Sequence, residues 1–219
     1  MELIDLSMAI QPLWRWPIEI GLAKDMARGD PYRVTAVKMT MHSFTHVDTP
    51  LHIEPGRESI DEVGLERLCG PAAVVNLQPI RENQEIDRDL LVDKAGHVRP
   101  GDIVLLKTGW DLLWDCTTKH YWLDAPYLSL EAVHYLSRLA IKAVGFDFPQ
   151  DFVIRQIPAR HPSAAEMPTH DILLRRGILL IEYLCNLHRI RGARVDLYAL
   201  PLKVSGAEGA CARVVAVEM

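Results

Sequence analysis

Three histidines and an aspartate stand close together between residues 42 and 52 of this chain. They are His42, His46, Asp48 and His52, and Pro50 separates the last two. Neutral imidazole and carboxylate are donors that suit zinc or manganese in proteins. Four potential ligands at this spacing therefore predict a metal site in preference to a polar loop.

A metal site requires this segment to fold back on itself. A strand advances about 3.3 Å per residue, so an extended chain would separate His42 from Asp48 by roughly 20 Å. Ligands of one ion lie much closer together than that. We therefore expect the segment to coil, with His42 and His46 neighbours across one helical turn or a tight loop and Asp48 following them before the proline.

A second candidate residue is Glu182, which stands inside the aliphatic run 178–184. A carboxylate buried in such a run is costly unless it is paired, protonated or bound to a cation. For Glu182 alone, pairing with an arginine is as good an explanation as a metal ion. The histidine segment favours the metal. His170 precedes Glu182 and, taken singly, is typical of a helix N-terminus or a surface position.

The whole chain has the size and composition of one globular domain. It has 219 residues, of which 49% are hydrophobic, and a net charge of -5. With a pI of 6.0 and no basic stripe, we expect no nucleic-acid partner. No apolar stretch suits a signal peptide or a membrane span, so we expect a cytoplasmic protein. The four scattered cysteines are typical of reduced thiols.

Apolar stretches of strand length alternate with a few helical patterns, which predicts a mixed α/β domain. Strands are predicted at 34–41, 72–77, 102–108, 143–147, 178–184, 196–204 and 212–218, and helices at 87–95, 129–140 and 169–176. Ser129 is a good N-cap, and Gly177 is typical of a helix end. Residues 1–30 predict an extended arm, since prolines bracket its centre. The irregular segment 148–168 predicts a functional loop.

The histidine segment resembles the His-x-Gly-Thr-His-x-Asp-x-Pro-x-His signature of the cyclase-like metal-dependent hydrolases, the group that contains bacterial kynurenine formamidase and isatin hydrolase. The resemblance extends over nearly the whole chain and includes residues 4–7, 108–110, 144–147, 170–187, 200–203 and 206–209. It implies a swivelling β/β/α-type single domain with a mixed sheet over residues 1–219. It also implies a homodimer or a homotetramer.

The resemblance implies a role for each matching residue. His42, His46 and Asp48 correspond to the ligands of the family's first metal ion. His170 and Glu182 correspond to the residues that complete a second metal position in binuclear members, where Asp48 would bridge the ions. The implied cofactor is a divalent metal, zinc or manganese, with one or two ions per chain.

His52 corresponds to the histidine regarded as the family's proton-transfer catalyst, and an unperturbed imidazole pKa of about 6.5 suits that role. The resemblance implies metal-dependent hydrolysis of an amide bond in a small, aromatic substrate, with N-formylkynurenine the leading candidate. The alternatives are ring opening of a cyclic amide such as isatin, a metal-dependent dehydratase or lyase, and metal binding without catalysis. An intact His52 argues against the last. The absence of a Gly-x-Ser-x-Gly elbow argues against a serine hydrolase.

The chain departs from the signature at Phe44, where the usual residue is glycine. A phenyl group there cannot bind a metal, but it could narrow the pocket or stack on an aromatic substrate. With Trp14 and Trp16 it could form the apolar side of a pocket. For any one of these residues, packing or an oligomer contact is the more common role.

Overall fold

The computed structural model describes residues 1–157 and 159–218. The strands are β1 (Glu2–Asp5), β2 (Glu19–Lys24), β3 (Val34–Lys38), β4 (His46–Asp48), β5 (Cys69–Asn76), β6 (Glu85–Ile86), β7 (Ile103–Lys107), β8 (Tyr127–Leu128), β9 (Ala143–Phe146), β10 (Leu179–Glu182), β11 (Arg194–Pro201) and β12 (Gly209–Glu218). The α-helices are α1 (Arg88–Lys94), α2 (Trp110–Leu113), α3 (Lys119–Leu123) and α4 (Leu130–Leu136). A π-helix spans Thr169–Leu174, and one-turn helices span Met26–Arg28, Pro50–His52, Leu65–Arg67, Ala164–Glu166 and Leu187–Arg189, with a slightly longer 3₁₀ helix at Phe152–Gln156.

Among the described residues, eight strands form one mixed sheet in the order β1, β12, β11, β5, β7, β9, β10, β4. β4 also pairs with β12, so the sheet closes on itself like a barrel. The four strands from β5 to β10 in this order run parallel to one another. The remaining pairings are antiparallel, including the one that joins the first strand to the last.

The central strands are buried on both faces. In β7 every residue is buried, and alternate residues enter two different apolar clusters. Val104 and Leu106 belong to the cluster that includes residues of α1, α3 and α4, whereas Ile103 and Leu105 belong to the other. Burial on both faces explains why these parallel strands read as continuous apolar runs. No helix in residues 1–157 and 159–218 has the length and apolar character needed to cross a membrane.

Most of the elements predicted from the sequence are confirmed. The predicted strands from 72–77 onward correspond to β5, β7, β9, β10, β11 and β12, with ends shifted by up to three residues. Ser129 caps α4 by accepting a hydrogen bond from Ala132 N, although α4 ends at Leu136 and not at residue 140. The helix predicted at 169–176 is the π-helix, and Gly177 follows it with a φ of 75°.

The strand predicted at 34–41 exists as β3, but it is shorter than predicted. β3 ends at Lys38, exposes every residue, and pairs with no strand except β2 in the part of the chain that the structure describes. The alternating pattern therefore predicted a strand correctly, but it did not predict which surface the strand would cover. The chain turns between residues 41 and 45, so this strand does not lead directly into the histidine segment.

The first 30 residues, expected as an extended arm, divide into three parts. β1 belongs to the main sheet because it pairs with β12. Ile4 of this strand and the following Leu6 are fully buried in the apolar cluster that contains Ile103 and Leu105. Arg15 is buried and Trp16 is half-buried against the body of the domain. Only the following hairpin of β2 and β3 is largely exposed.

Candidate metal centre

Strand pairing brings three of the candidate ligands together, namely His46, Asp48 and Glu182. His46 and Asp48 lie two residues apart on β4, so both side chains point to the same face of the sheet. β10 runs antiparallel to β4 with Glu182 directly opposite His46, which places their side chains side by side. The expected coil is therefore confined to residues 41–45, and the part from His46 to Asp48 is a strand.

A turn on each side of β4 adds two more histidines. Pro50 begins a single 3₁₀ turn that ends at His52, a position in which proline's fixed φ and missing N–H are well tolerated. This turn folds His52 back onto His42, and the two rings stack with centroids 4.0 Å apart at an angle of 29°. His42 itself comes from the turn that precedes the strand.

His170 reaches the same place from the π-helix. Its Nδ1 donates to Asp151 Oδ2 at 2.6 Å, while Asp151 Oδ1 accepts a hydrogen bond from Thr169 N at 2.9 Å. This fixes the ring so that Nε2 lies 2.9 Å from Glu182 Oε1 and 3.6 Å from Asp48 Oδ2. A histidine held by a carboxylate at one nitrogen is the usual arrangement for a metal ligand.

The two ring nitrogens of His46 also have different roles. Its Nδ1 donates to the carbonyl oxygen of Phe44 at 2.7 Å, which leaves a lone pair on Nε2. Nε2 is buried and has no hydrogen-bond partner among the described residues, and the same holds for Asp48 Oδ2. Buried polar atoms without a partner are costly. A cation bound between them would satisfy both, so the residues present fit a divalent metal.

The ligand atoms form two groups that share one carboxylate. His42, Asp48 and His52 make up the first group, and the same Asp48 joins His46 and Glu182 in the second. Within each group all atoms lie within 4.8 Å of one another. His52, expected as a proton-transfer residue, thus lies close enough to be a ligand as well.

The arginine pairing considered for Glu182 is not found among the described residues, although the charge of Glu182 acts on the buried Arg15. In residues 1–157 and 159–218, the salt-bridge partners of Glu182 are His46 and His170. The amide of Gln150 donates a further hydrogen bond to Glu182 Oε1. Glu182 is only 2% exposed, and these three polar partners offset the cost of burying its carboxylate.

The charges of the cluster shift the pKa values of its members in opposite directions. His42 Nδ1 lies 2.8 Å from Asp48 Oδ1, and its Nε2 lies 2.9 Å from Glu208 Oε1. Burial acts to lower the pKa of His42, but these two carboxylates outweigh burial and raise it to about 9. Burial, reinforced by the charges of His42 and His170, lowers the pKa of His52 to about 4. Without a metal, His42 is therefore protonated and His52 neutral at pH 7.

Three contributing residues were missed by the sequence analysis. Asp151 and Gln150 lie in the irregular segment 148–168, which was predicted to be functional without any residue being assigned. Glu208 lies in the segment 206–209 that carries part of the family resemblance.

By contrast, Asp147 accepts hydrogen bonds from the backbone N–H groups of Thr108 and Gly109. Asp147 therefore satisfies backbone donors.

The metal-ligand groups line a cavity of about 250 Å³. Trp16, Ile154 and Tyr183 contribute apolar surface to its wall. Trp14 is 42% exposed and does not line it. Phe44 does not line it either, but packs behind Trp16 with ring centroids 5.2 Å apart.

Phe44 has a φ of 56°, in the left-handed region. This explains why the family signature has glycine at this position, because glycine adopts such a φ without steric cost. The phenyl ring is 1% exposed. Burial of the ring therefore offsets the backbone strain that Phe44 carries.

The family model described as "Putative cyclase" matches residues 4–150, which is more than half of the chain. The chain belongs to this family. It is similar to the kynurenine formamidase of Salinibacter ruber, with 28% identity over 222 aligned residues that cover 98% of this chain and 97% of the relative. It is also 28% identical to the kynurenine formamidase of Erythrobacter litoralis, over 94% of this chain and 90% of the relative.

Similar solved structures include two isatin hydrolases. Isatin hydrolase A from Labrenzia aggregata, bound to benzyl benzoate, matches with a TM-score of 0.80 and 20% identity over 98% of this chain and 93% of the other. An isatin hydrolase bound to the product analogue thioisatinate matches with a TM-score of 0.79 and 22% identity, over 98% and 91%. At these identities the likeness establishes the mixed α/β fold.

Metal binding is expected to release protons and to strengthen as the pH rises. A metal needs a neutral imidazole nitrogen, but the pKa of about 9 keeps His42 protonated at pH 7 in the metal-free chain. Burial acts to lower the pKa of His170, yet Glu182 and Asp151 hold it well above its usual value. Metal affinity should therefore increase by about tenfold per pH unit for each proton displaced. For His42 this rise ends near its own pKa.

Competition with a chelator at several pH values measures this dependence, and calorimetry in buffers of different ionisation enthalpy counts the protons released. Glu208→Gln is the matched control. It removes a carboxylate that raises the pKa of His42, so the affinity should level off at a lower pH. Metal affinity that does not change with pH would contradict this account of the site.

The strain at Phe44 can be isolated by comparing two substitutions. Both Phe44→Gly and Phe44→Ala remove the buried ring, at a cost of about 3–5 kcal/mol. Only the alanine variant keeps a Cβ at a φ of 56°, so it should be less stable than the glycine variant by about 1 kcal/mol. Urea unfolding measures both free energies. Equal stability of the two variants would show that the turn carries no strain.

Proposed function

We propose that this protein is a metal-dependent amidohydrolase that acts on a non-peptide C–N bond of a small aromatic substrate, with N-formylkynurenine as the leading candidate. The supporting observation is the buried convergence of two imidazole Nε2 atoms on two carboxylates at the wall of an apolar cavity. Relatives named kynurenine formamidase, which align over almost the whole chain, favour this substrate class.

We assign His42, His46, Asp48, His170 and Glu182 as the residues that hold the metal. A bound divalent ion would lower the pKa of a water molecule and polarise the scissile carbonyl. Zinc and manganese both suit these donors. One ion fits the group of His46, Asp48 and Glu182, and His170 beside Glu182 together with His42 beside Asp48 would supply donors for a second. Asp151 and the carbonyl of Phe44 orient two of the histidine rings.

We assign proton transfer to His52. In the metal-free chain, burial lowers the pKa of His52, so the ring is neutral at pH 7 and offers a nitrogen that can accept a proton from the attacking water. The imidazolium that results can return this proton to the leaving nitrogen. Its stacking on His42 positions the ring beside Asp48, in the first group of ligand atoms.

We also propose that residues 1–219 form one domain. The pairing of β1 with β12, which joins the two ends of the chain in one sheet, supports this. Assembly as a homodimer or homotetramer and a cytoplasmic location remain predictions.

Hydrolysis in oxygen-18 water tests the proposed reaction. With N-formylkynurenine we expect formate that carries one solvent oxygen, because water is the nucleophile. Isatin is the competing substrate, and turnover of isatin alone would move the assignment to ring opening. A product formed without solvent oxygen would contradict hydrolysis and favour a dehydratase or lyase.

The role of His52 is tested by His52→Ala. Loss of a general acid–base lowers turnover by about 100-fold or more, and metal content should stay almost unchanged if His52 is not a required ligand. The matched comparison is His46→Ala, which should lower both metal content and turnover. Elemental analysis and kcat supply the two measurements.

Two results would overturn this assignment. Nearly full turnover by His52→Ala with its metal intact would leave the proton donor unidentified. Loss of metal equal to that of His46→Ala would make His52 a ligand, as its place in the first group of ligand atoms allows.

A further inference from the structure

A buried arginine lies in the wall of the cavity that holds the metal-ligand groups. Arg15 is only 9% exposed, and it lines the cavity together with Trp16, Ile154 and Tyr183. It comes from the segment between β1 and β2, far in sequence from the residues assigned to the metal. No step of the proposed reaction uses it.

The hydrogen bonds of Arg15 are incomplete. Its Nη2 donates to the carbonyl oxygen of Ile154 at 2.9 Å. Its Nε and Nη1 are buried and have no partner among residues 1–157 and 159–218. A guanidinium has five N–H hydrogens, of which one lies on Nε and two on Nη1. At least three of the five therefore lack an acceptor among the described residues.

Arg15 also lies over aromatic rings, and the charge of Glu182 acts on it. The guanidinium carbon lies 4.5 Å from the ring centroid of Trp122 and 5.9 Å from that of Trp16. Such cation–π contacts hold the plane of the group but satisfy no N–H donor. Within the described part of the chain, no carboxylate forms a salt bridge with Arg15, since those of Asp48 and Glu182 face histidines.

A permanent positive charge that is buried with unsatisfied donors costs stability. A methionine of similar length would fill the same space without this cost. A guanidinium is also the group that best matches the planar, two-oxygen geometry of a carboxylate. The unsatisfied donors therefore point to an acceptor that enters the cavity with a ligand.

We propose that Arg15 binds the carboxylate group of the substrate and thereby determines the specificity of the site for aromatic amides that carry one. This inference rests on the proposed amidohydrolase function for the amide, and on the geometry of Arg15 for the carboxylate. In a cavity of about 250 Å³, binding of the carboxylate by Arg15 fixes the orientation of an aromatic molecule. Arg15 thereby selects anionic amides over neutral ones such as isatin.

Binding of aromatic carboxylates and of their primary amides tests the proposal without turnover. The probes are kynurenine, 4-phenylbutanoate and 2-aminobenzoate, each measured by calorimetry against its carboxamide with the protein as purified. We expect at least one carboxylate to bind about tenfold or more tighter than its amide. Arg15→Met should abolish that preference and Arg15→Lys should keep part of it.

Arg160→Met is the matched control. Arg160 is exposed and forms a salt bridge with Glu166. It is adjacent in sequence to His161, which lines the same cavity. The Arg160→Met substitution removes one positive charge near the cavity and leaves Arg15 unchanged. The preference for carboxylates should therefore persist in this variant.

Thermal unfolding distinguishes a binding role from a structural one. If Arg15 is kept for ligand binding, Arg15→Met should unfold at the same temperature as the wild type or higher when no carboxylate is present. The carboxylate probes should raise the unfolding temperature of the wild type only. If the bond to Ile154 and the aromatic contacts are its purpose, Arg15→Met should unfold at a lower temperature. Arg15→Gln, which keeps polar donors, replaces Arg15→Met should the latter fail to fold.

The proposal is wrong if no carboxylate outbinds its amide. It is also wrong if Arg15→Met keeps the preference, which would place the carboxylate on the metal, or if Arg160→Met loses it equally. Failure of the proposed function looks different, since N-formylkynurenine would then remain intact while the preference for carboxylates still depended on Arg15. Hydrolysis without such a preference would leave the function and reject the role proposed for Arg15.

Discussion

The closure of the sheet through β4 is the constraint on which the site depends. This strand has three residues and pairs with β10 on one side and β12 on the other. Its backbone is thus held at both edges, so His46 and Asp48 have little freedom. Gly209 permits this closure, because a Cβ there would lie 2.7 Å from Val47 O and 3.1 Å from Asp48 Oδ1.

The same closure buries charge that the protein alone does not fully satisfy. Asp48 and Glu182 are almost completely buried, yet Asp48 Oδ2 and His46 Nε2 lack hydrogen-bond partners in the described part of the chain. Arg15 adds a buried cation in the same cavity. Unsatisfied groups of this kind lower stability, and natural proteins keep them chiefly at functional sites. Two extensive apolar clusters around the central strands offset this cost.

Prediction from the sequence succeeded where the signal was local. The continuous apolar runs of β7 and β9 and the N-cap at Ser129 each depend on a few neighbouring residues. Prediction was less accurate for the strand at 34–41, because an alternating pattern does not say whether a partner surface exists, and β3 has none in the described residues beyond β2. The coil expected between His42 and Asp48 was correct only for the turn, since pairing with two neighbours keeps the rest extended.

The sequence by itself predicted the donor chemistry of the candidate site, because three histidines and an aspartate in one short segment favour a metal over a polar loop. It also determined that Glu182 needed a partner, but not which one. The tertiary structure alone decided that Glu182 lies opposite His46, that Asp151 holds His170, and that Arg15 lies in the same cavity. These contacts join residues from distant parts of the chain. Their formation depends on sheet register and on closure, which no local pattern encodes.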